Sequence, residues 1–446
     1  MSKLTKKNVL ITIIKMAVPM LAGTFAINAN NLINAWFVSR LGTESLAAIS
    51  FAIPVVMLIS FVVRGIGTGT MTLVAHALGE KNTDKTTGFI IHSILLSVFT
   101  AILITIPGIL SIKFVFTKFG AKDNVLNLVS DYMKIWYLGS TVMILQMILS
   151  DVILGTGHTK AISFLMVFGT VINIFFDYSL IFGNFGMPAL GIRGAACATI
   201  ISQLFGLIGA FIILKYKLKL IDSFAFKITE IFNSWLQILK FAIPGALGMI
   251  MTPVSAGIIT RLVANYGNEA VAALGVANRI EMFAFMIPMT VGISLMPFIA
   301  QNYGAKRIDR VMEARKLTMI FAGVYGVIIA ILFFIFSRPM AGVFSNDTKV
   351  VDILVKYICI TCFGYGMLEI HRYSGFCLTG LHLPIQASVL DIIRMIILLV
   401  PLSIIGDKIF QLNGIFMGRL GTDILAGLIG IFWSAKAINK KLKINF

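Results

Sequence analysis

The sequence predicts an all-α polytopic membrane protein, twelve transmembrane helices in two pseudo-symmetric six-helix lobes, and three observations predict it. The 446 residues are 58% hydrophobic and only 13% charged, with a mean hydropathy of +0.95, whereas a soluble chain spends about a quarter of its residues on charge. Twelve apolar segments are each long enough to cross a ~30 Å hydrocarbon core as a helix. A shift of 225 positions lays the second half of the chain on the first without gaps through two long stretches.

In order, the first segment, residues 13–37, carries Asn34 and Pro19, whose missing N–H makes a point for bending. The second, 46–74, contains RGIGTGT at 64–70. That string is superficially a dinucleotide fingerprint, but it lies inside an apolar helix rather than after a strand, so its small residues serve close helix packing. The third spans 88–112, and the fourth, 128–152, includes Tyr137. The fifth, 161–183, holds VINIFFDYSLIF with one acidic side chain, Asp177, and Asn173 one turn before it on the same face. The sixth, 192–215, ends in the basic run KYKLK. The seventh, 236–262, returns to the pattern of the first with Pro244. The eighth, 271–299, carries Glu281 with Phe283, Phe285, Met286 and Met289 beside it. The ninth spans 316–336. The tenth, 352–378, holds Glu369 and Arg372, and the eleventh, 385–406, Asp391 and Arg394. The twelfth, 412–436, runs into NKKLK.

The duplication is read from particular matches. KMAVP with Lys15 and Pro19 meets KFAIP with Lys240 and Pro244; GTESLAA from Gly42 meets GNEAVAA from Gly267. Gly67, Met71, Ala75, Gly79 and Lys81 then meet Gly292, Met296, Ala300, Gly304 and Lys306. Six spans per repeat is an even number, so the repeats run parallel, a pattern that usually encloses a site near the bilayer midplane. The division is an N-terminal lobe over 1–222 and a C-terminal lobe over 223–446.

The formal charge of +18 invites a nucleic-acid reading, and its distribution opposes it. With the N-terminus inside, Lys plus Arg number 21 on the inner side and 9 on the outer, the bias expected for a cell-membrane protein with both termini cytoplasmic. The first apolar segment is far longer than a signal h-region, so no cleavable signal peptide is expected. Cys359 and Cys362 form a C-x-x-C inside an apolar helix with no second ligand pair, and read as packing residues. No nucleophile–base or metal-ligating constellation stands at useful spacing, so neither an enzyme nor a cofactor or metal protein is expected.

Charges inside the membrane are expensive and point to function or pairing. Asp177 lies 16 residues into an outward helix and Asn34 lies 21 residues into another, which places both in the outer half of the bilayer. In the second lobe, matching depths suggest ion pairs Glu369–Arg394 and Arg372–Asp391, with a second coupling or substrate site as the alternative. Glu281 has only Arg279 as an obvious neighbouring cation. Tyr137, Phe283, Phe285, Met286 and Met289 are candidates for a substrate cavity, since flexible Met and flat aromatic rings suit varied ligands.

The same residues carry a resemblance. WFVSRLG after the Pro19 helix, the LGEKN and QNYGAKR helix ends, and NIFFDYSLIFG followed by GIRGAACATIISQ resemble the multidrug and toxic compound extrusion (MATE) family of secondary antiporters over essentially the whole length. The resemblance is to its DinF-like branch more than its NorM-like branch. It implies two six-helix lobes around a central V-shaped cavity, a monomer, and export of drug-like amphipathic, often cationic compounds driven by H⁺ or Na⁺. It also implies an ion-coupling site at Asp177 and Asn173, with Asn34 where the branch carries an acid on the first helix. That departure leaves Asp177 to be tuned by burial and hydrogen bonding rather than by a second carboxylate. The NorM-like acid of the seventh helix is absent, with Thr252 near its place. A flippase for lipids or lipid-linked sugars is the alternative the wider superfamily offers.

Overall fold

The computed structural model describes residues 3–221 and 228–444. The boundary expected between residues 222 and 223 lies outside the described residues. Helix follows helix with short connections. The twelve spans are α1 (Val9–Ser39), α2 (Thr43–Gly79), α3 (Thr83–Lys118), α4 (Asp123–Gly155), α5 (Thr159–Phe182), α6 (Ile192–Ile212), α7 (Ile228–Ala264), α8 (Asn268–Ala284 and Met286–Gly304), α9 (Ile308–Phe344), α10 (Thr348–Thr361 and Tyr365–Gly380), α11 (from Pro384 to residue 409) and α12 (residues 412–444). Apolar sequence longer than a bilayer is thick makes each one a helix, because only a helix satisfies its own backbone groups in lipid.

The chain divides into two compact units. One takes Lys15–Ile243, and the other takes the stretch ending at Ile14 together with everything from Pro244. The cuts fall in α1 and α7, just before the matched prolines Pro19 and Pro244.

In the first unit the small residues of RGIGTGT bring backbones together. A Cβ on Gly65 would meet the Ala242 carbonyl at 2.4 Å, and one on Gly69 would meet that of Ile238 at 2.8 Å, so α2 and the first half of α7 pack at glycine distance. Gly67 faces the other way, onto Asp151 of α4. His92 of α3 shares a 2.8 Å hydrogen bond with Ser234, and Trp235 donates to the His92 carbonyl at 2.9 Å. In the second unit Arg310 of α9 donates to the carbonyls of Leu4 and Lys7 at 3.0 and 2.5 Å, and Asn302 donates to Leu4 at 3.4 Å.

The eighth span differs from the uninterrupted helix that its hydropathy predicts. It bends by 54° at Phe285. Pro288 accounts for the break: it has no N–H for the carbonyl of Ala284 four residues back, and its ring crowds that carbonyl. Tyr325 donates to the freed Ala284 oxygen at 2.6 Å. Two further departures are a 3₁₀ turn at Cys362–Gly364 in α10 and a π turn at Ile393–Leu399 in α11. Between α11 and α12 the backbone leaves helical geometry at Phe410 and Gln411, and Gly406 and Gly414 then cross so closely that a Cβ on either would strike the other's carbonyl.

Candidate functional site

The first unit gathers four polar side chains between α1 and α5. Asn30 and Asn34, one turn apart on α1, both donate to Oδ1 of Asn173 on α5, at 2.8 and 3.1 Å. Asn173 and Asp177 follow at i and i+4 on α5 and are 3% and 1% exposed. The helices meet because Phe37, Ile181 and Ala195 form a shared apolar cluster just beyond the site, with Ile33 and Ile174 against it. Nearer the other end Ser163 of α5 donates to the carbonyl of Pro19.

Four buried atoms in this group have no hydrogen-bond partner: Oδ1 of Asn30, Oδ1 of Asn34, Nδ2 of Asn173 and Oδ2 of Asp177. Three of them are oxygens. A buried polar group without a partner is costly. A proton on Asp177 would supply the missing donor, and a sodium ion would find carbonyl and carboxylate oxygens as hard-cation ligands. The three predicted residues, Asp177, Asn173 and Asn34, are thus brought together, and Asn30 joins them. Its signal in the sequence was its position one turn before Asn34, on the same helical face.

The second unit holds a charged network. Glu281 on the first half of α8 accepts hydrogen bonds from Tyr357 at 2.8 Å and Tyr365 at 3.0 Å, both on α10, and from Arg419 of α12 at 2.7 Å. Arg419 also touches the Tyr357 hydroxyl and sits 5.4 Å over its ring. Asp423, one turn on, accepts from Arg394 of α11 at 2.7 and 3.1 Å. Glu369 accepts from Arg372 at 2.6 Å, and Arg372 lies 4.9 Å over the ring of Phe285 at the α8 break. His371 and Asp391 share a 3.1 Å contact.

These contacts correct the pairings expected from depth. Glu369 pairs with Arg372 rather than Arg394, and Asp391 with His371 rather than Arg372. The i,i+3 spacing lets Arg372 reach Glu369 along its own helix, while the π turn carries Arg394 toward α12 and Asp423. The cation for Glu281 is Arg419, not its sequence neighbour Arg279. Arg419 and Asp423 were visible as charges in the twelfth apolar segment, but no local spacing ties them to residues 138 and 29 positions away.

The cavity candidates separate. Tyr137 is 5% exposed and packs in the α3–α4 interface, its ring over Gly108. Phe283 and Met289 are 47% and 38% exposed. Phe285 lies between Arg372 and Tyr365, whose ring it meets edge-on at 4.9 Å, and Met286 starts the second half of α8.

A further carboxylate lies inside the first unit. Asp151 of α4 presses on Gly67 of α2. At the matched place in the other repeat, Gly292 carries the ring of Phe376.

Comparison with known proteins follows the same division. The MatE family model matches residues 19–179 and again 244–405, two stretches that begin 225 positions apart. A protein named FAD transporter from Shewanella oneidensis is 32% identical over 431 residues, covering 97% of this chain and 95% of that protein. The Multidrug export protein MepA of Staphylococcus aureus is 27% identical, covering 94% of this chain and 88% of MepA. Among solved structures, the Vibrio cholerae MATE transporter VcmN in the bent form superposes with a TM-score of 0.91 at 25% identity, covering 97% of this chain and 98% of that one.

Proposed function

The chain belongs to the MatE family, and from that premise we propose that it is an ion-coupled efflux antiporter of the cell membrane. Its coupling site is the Asn30–Asn34–Asn173–Asp177 cluster. The observation that carries this reading is the buried carboxylate oxygen of Asp177, left without a partner beside two equally unpartnered asparagine oxygens. A group held this way gains most from binding H⁺ or Na⁺ and loses most when it gives the ion up. The energy difference acts on the packing of α1 against α5, which is where Pro19 allows α1 to bend.

The cycle we propose runs as follows. With Asp177 empty, the carboxylate is the charged member of the cluster and substrate is bound from the cytoplasm. Ion entry from outside neutralises the site, α1 closes on α5, and the bend at Pro19 shifts so that substrate leaves outward. Release of the ion inward resets the site. We also propose that the chain is of the DinF-like branch, a reading that the Asp177–Asn173 pair on α5 supports. Both termini are placed in the cytoplasm by the positive-inside bias, and the functional unit is a monomer.

The substrates are drug-like amphipathic compounds, as the name of the MepA relative suggests. A second reading has a specific support, the 32% identity to a protein named FAD transporter: a flavin nucleotide is planar and anionic, and the partly exposed Arg372 over Phe285 offers cation and aromatic face together.

The test is transport in proteoliposomes with H⁺ and Na⁺ gradients varied separately, using a cationic dye and FAD as substrates. Asp177→Asn keeps the shape and hydrogen-bonding capacity of the side chain but fixes its charge. It is expected to bind substrate and to lose gradient-driven export. Undiminished driven export by this variant would place coupling elsewhere.

A further inference from the structure

The exposed face of α12 carries a groove of about 440 Å³ lined by Leu425, Leu428, Ile429, Phe432, Trp433 and Lys436. These positions recur at three and four residues, one stripe of the helix. The opposite stripe is made of small residues: Gly427 lies on Met367 and Gly430 on Ser374, which seats α12 against α10. The groove therefore belongs to the outward side of the helix, and none of the charged network opens into it.

Three features decide what fits. From Leu425 to Lys436 the helix rises about 16 Å, close to half of a ~30 Å hydrocarbon core. The apolar stripe ends in Trp433, whose indole N–H is held by Gln386 of α11 at 3.1 Å, an aromatic at the level where such rings mark the membrane interface. Beyond it stand Lys436 and Lys440, one turn apart on the same face, both exposed and neither in an ion pair among the described residues. Lys441, by contrast, is already placed 5.3 Å over the ring of Tyr303.

We propose that this groove seats one acyl chain of an anionic glycerophospholipid, with the headgroup phosphate against Lys436 and Lys440. Charge complementarity selects the headgroup, and the half-bilayer length of the stripe selects a chain that enters from a single leaflet. A zwitterionic lipid would fill the same groove without using the lysines, so headgroup preference is the property to measure.

The full chain, released from vesicles of mixed phosphatidylglycerol and phosphatidylcholine, is examined by native mass spectrometry for retained lipid. Each lysine near a membrane surface contributes about 1 kcal/mol toward anionic lipid, or about fivefold, so Lys436→Gln with Lys440→Gln is expected to lower phosphatidylglycerol retention by about thirtyfold. The same neutralisation at Lys215 and Lys217, another basic helix end, removes surface charge without touching the groove and is expected to lower it less. Equal losses from the two double variants, or equal retention of the two lipids by the unaltered chain, would overturn the assignment. Quenching of tryptophan fluorescence by phosphatidylglycerol brominated along its acyl chain supplies a second readout. It should exceed that by brominated phosphatidylcholine in the unaltered chain and lose that excess in Lys436→Gln/Lys440→Gln.

Discussion

Ser163 of α5 donates its hydroxyl to the backbone carbonyl of Pro19 in α1. The residue that weakens α1 is thus fastened to the helix that carries Asp177. Asn173 lies ten positions after Ser163 on α5, so the two helices are tied at Pro19 and again at the polar cluster. Removing the first tie tests whether the bend is part of the working cycle. Ser163→Ala is expected to cost only about 1 kcal/mol of stability while changing the transport rate severalfold, read as initial rates in proteoliposomes beside detergent melting. A rate that follows stability alone would separate the bend from transport.

Asn30 is expected to matter as much as Asn34. Each donates to the same oxygen of Asn173, and each leaves its own buried oxygen unpartnered. Asn30→Ala and Asn34→Ala should each weaken ion-driven transport by roughly fivefold, the equivalent of one hydrogen bond of about 1 kcal/mol. The double variant should lose more than either. If Na⁺ is the driving ion, the loss appears as a raised Na⁺ concentration for half-maximal rate.

The Glu281–Arg419 pair is expected to behave as a buried ion pair. Arg419→Met strands the Glu281 charge and should destabilise by about 3–5 kcal/mol; Glu281→Gln leaves Arg419 with Asp423 at 3.9 Å and should cost less, and the two together should cost less than Arg419→Met alone. Thermal unfolding of the four proteins in one detergent closes the cycle. Additive losses would mean that the two side chains do not depend on each other.

Gly67→Ala is expected to destabilise the first unit by about 1–3 kcal/mol, because its Cβ would fall 1.9 Å from the Asp151 carboxylate. Asp151→Ala in the same chain should recover most of the loss by removing the obstructing atoms. Failure of the second change to rescue the first, again by melting, would show that the strain lies in the backbone.

The fold was legible because bilayer length and internal repetition are properties of the string itself. All twelve spans lie where the apolar segments lie, and the second stretch matched by the family model begins where the repeat places it. The break in α8 was not foreseen, although Pro288 announces it, because hydropathy averages over a window and ignores a single missing N–H. The polar cluster of the first unit was legible in part for a similar reason. Asn173 and Asp177 share one helix, so their spacing locates them on one face, while Asn30 depends on which face of α1 turns toward α5. Depth counting failed for the ion pairs. It compares positions along the membrane normal and says nothing of azimuth, and azimuth is what sent Arg394 to Asp423 and Arg372 back to Glu369.

The charged network of the second unit has an electrical consequence. Glu281, Glu369 and Asp423 stand with Arg372, Arg394 and Arg419, and with all six ionised the charges of these six cancel, apart from Asp391, which stands beside His371. A charge carried across a membrane potential exchanges about 2.3 kcal/mol per 100 mV; a neutral group moved as a body exchanges almost nothing. The second unit can therefore shift this assembly at any voltage without electrical work. Among the described residues Asp177 has no arginine or lysine bonded to it, so an ion taken up there, as we propose, would be a lone charge in the field. If Asp177 takes up the ion as we propose, the voltage dependence of transport should be set by the first unit, with these six groups electrically silent.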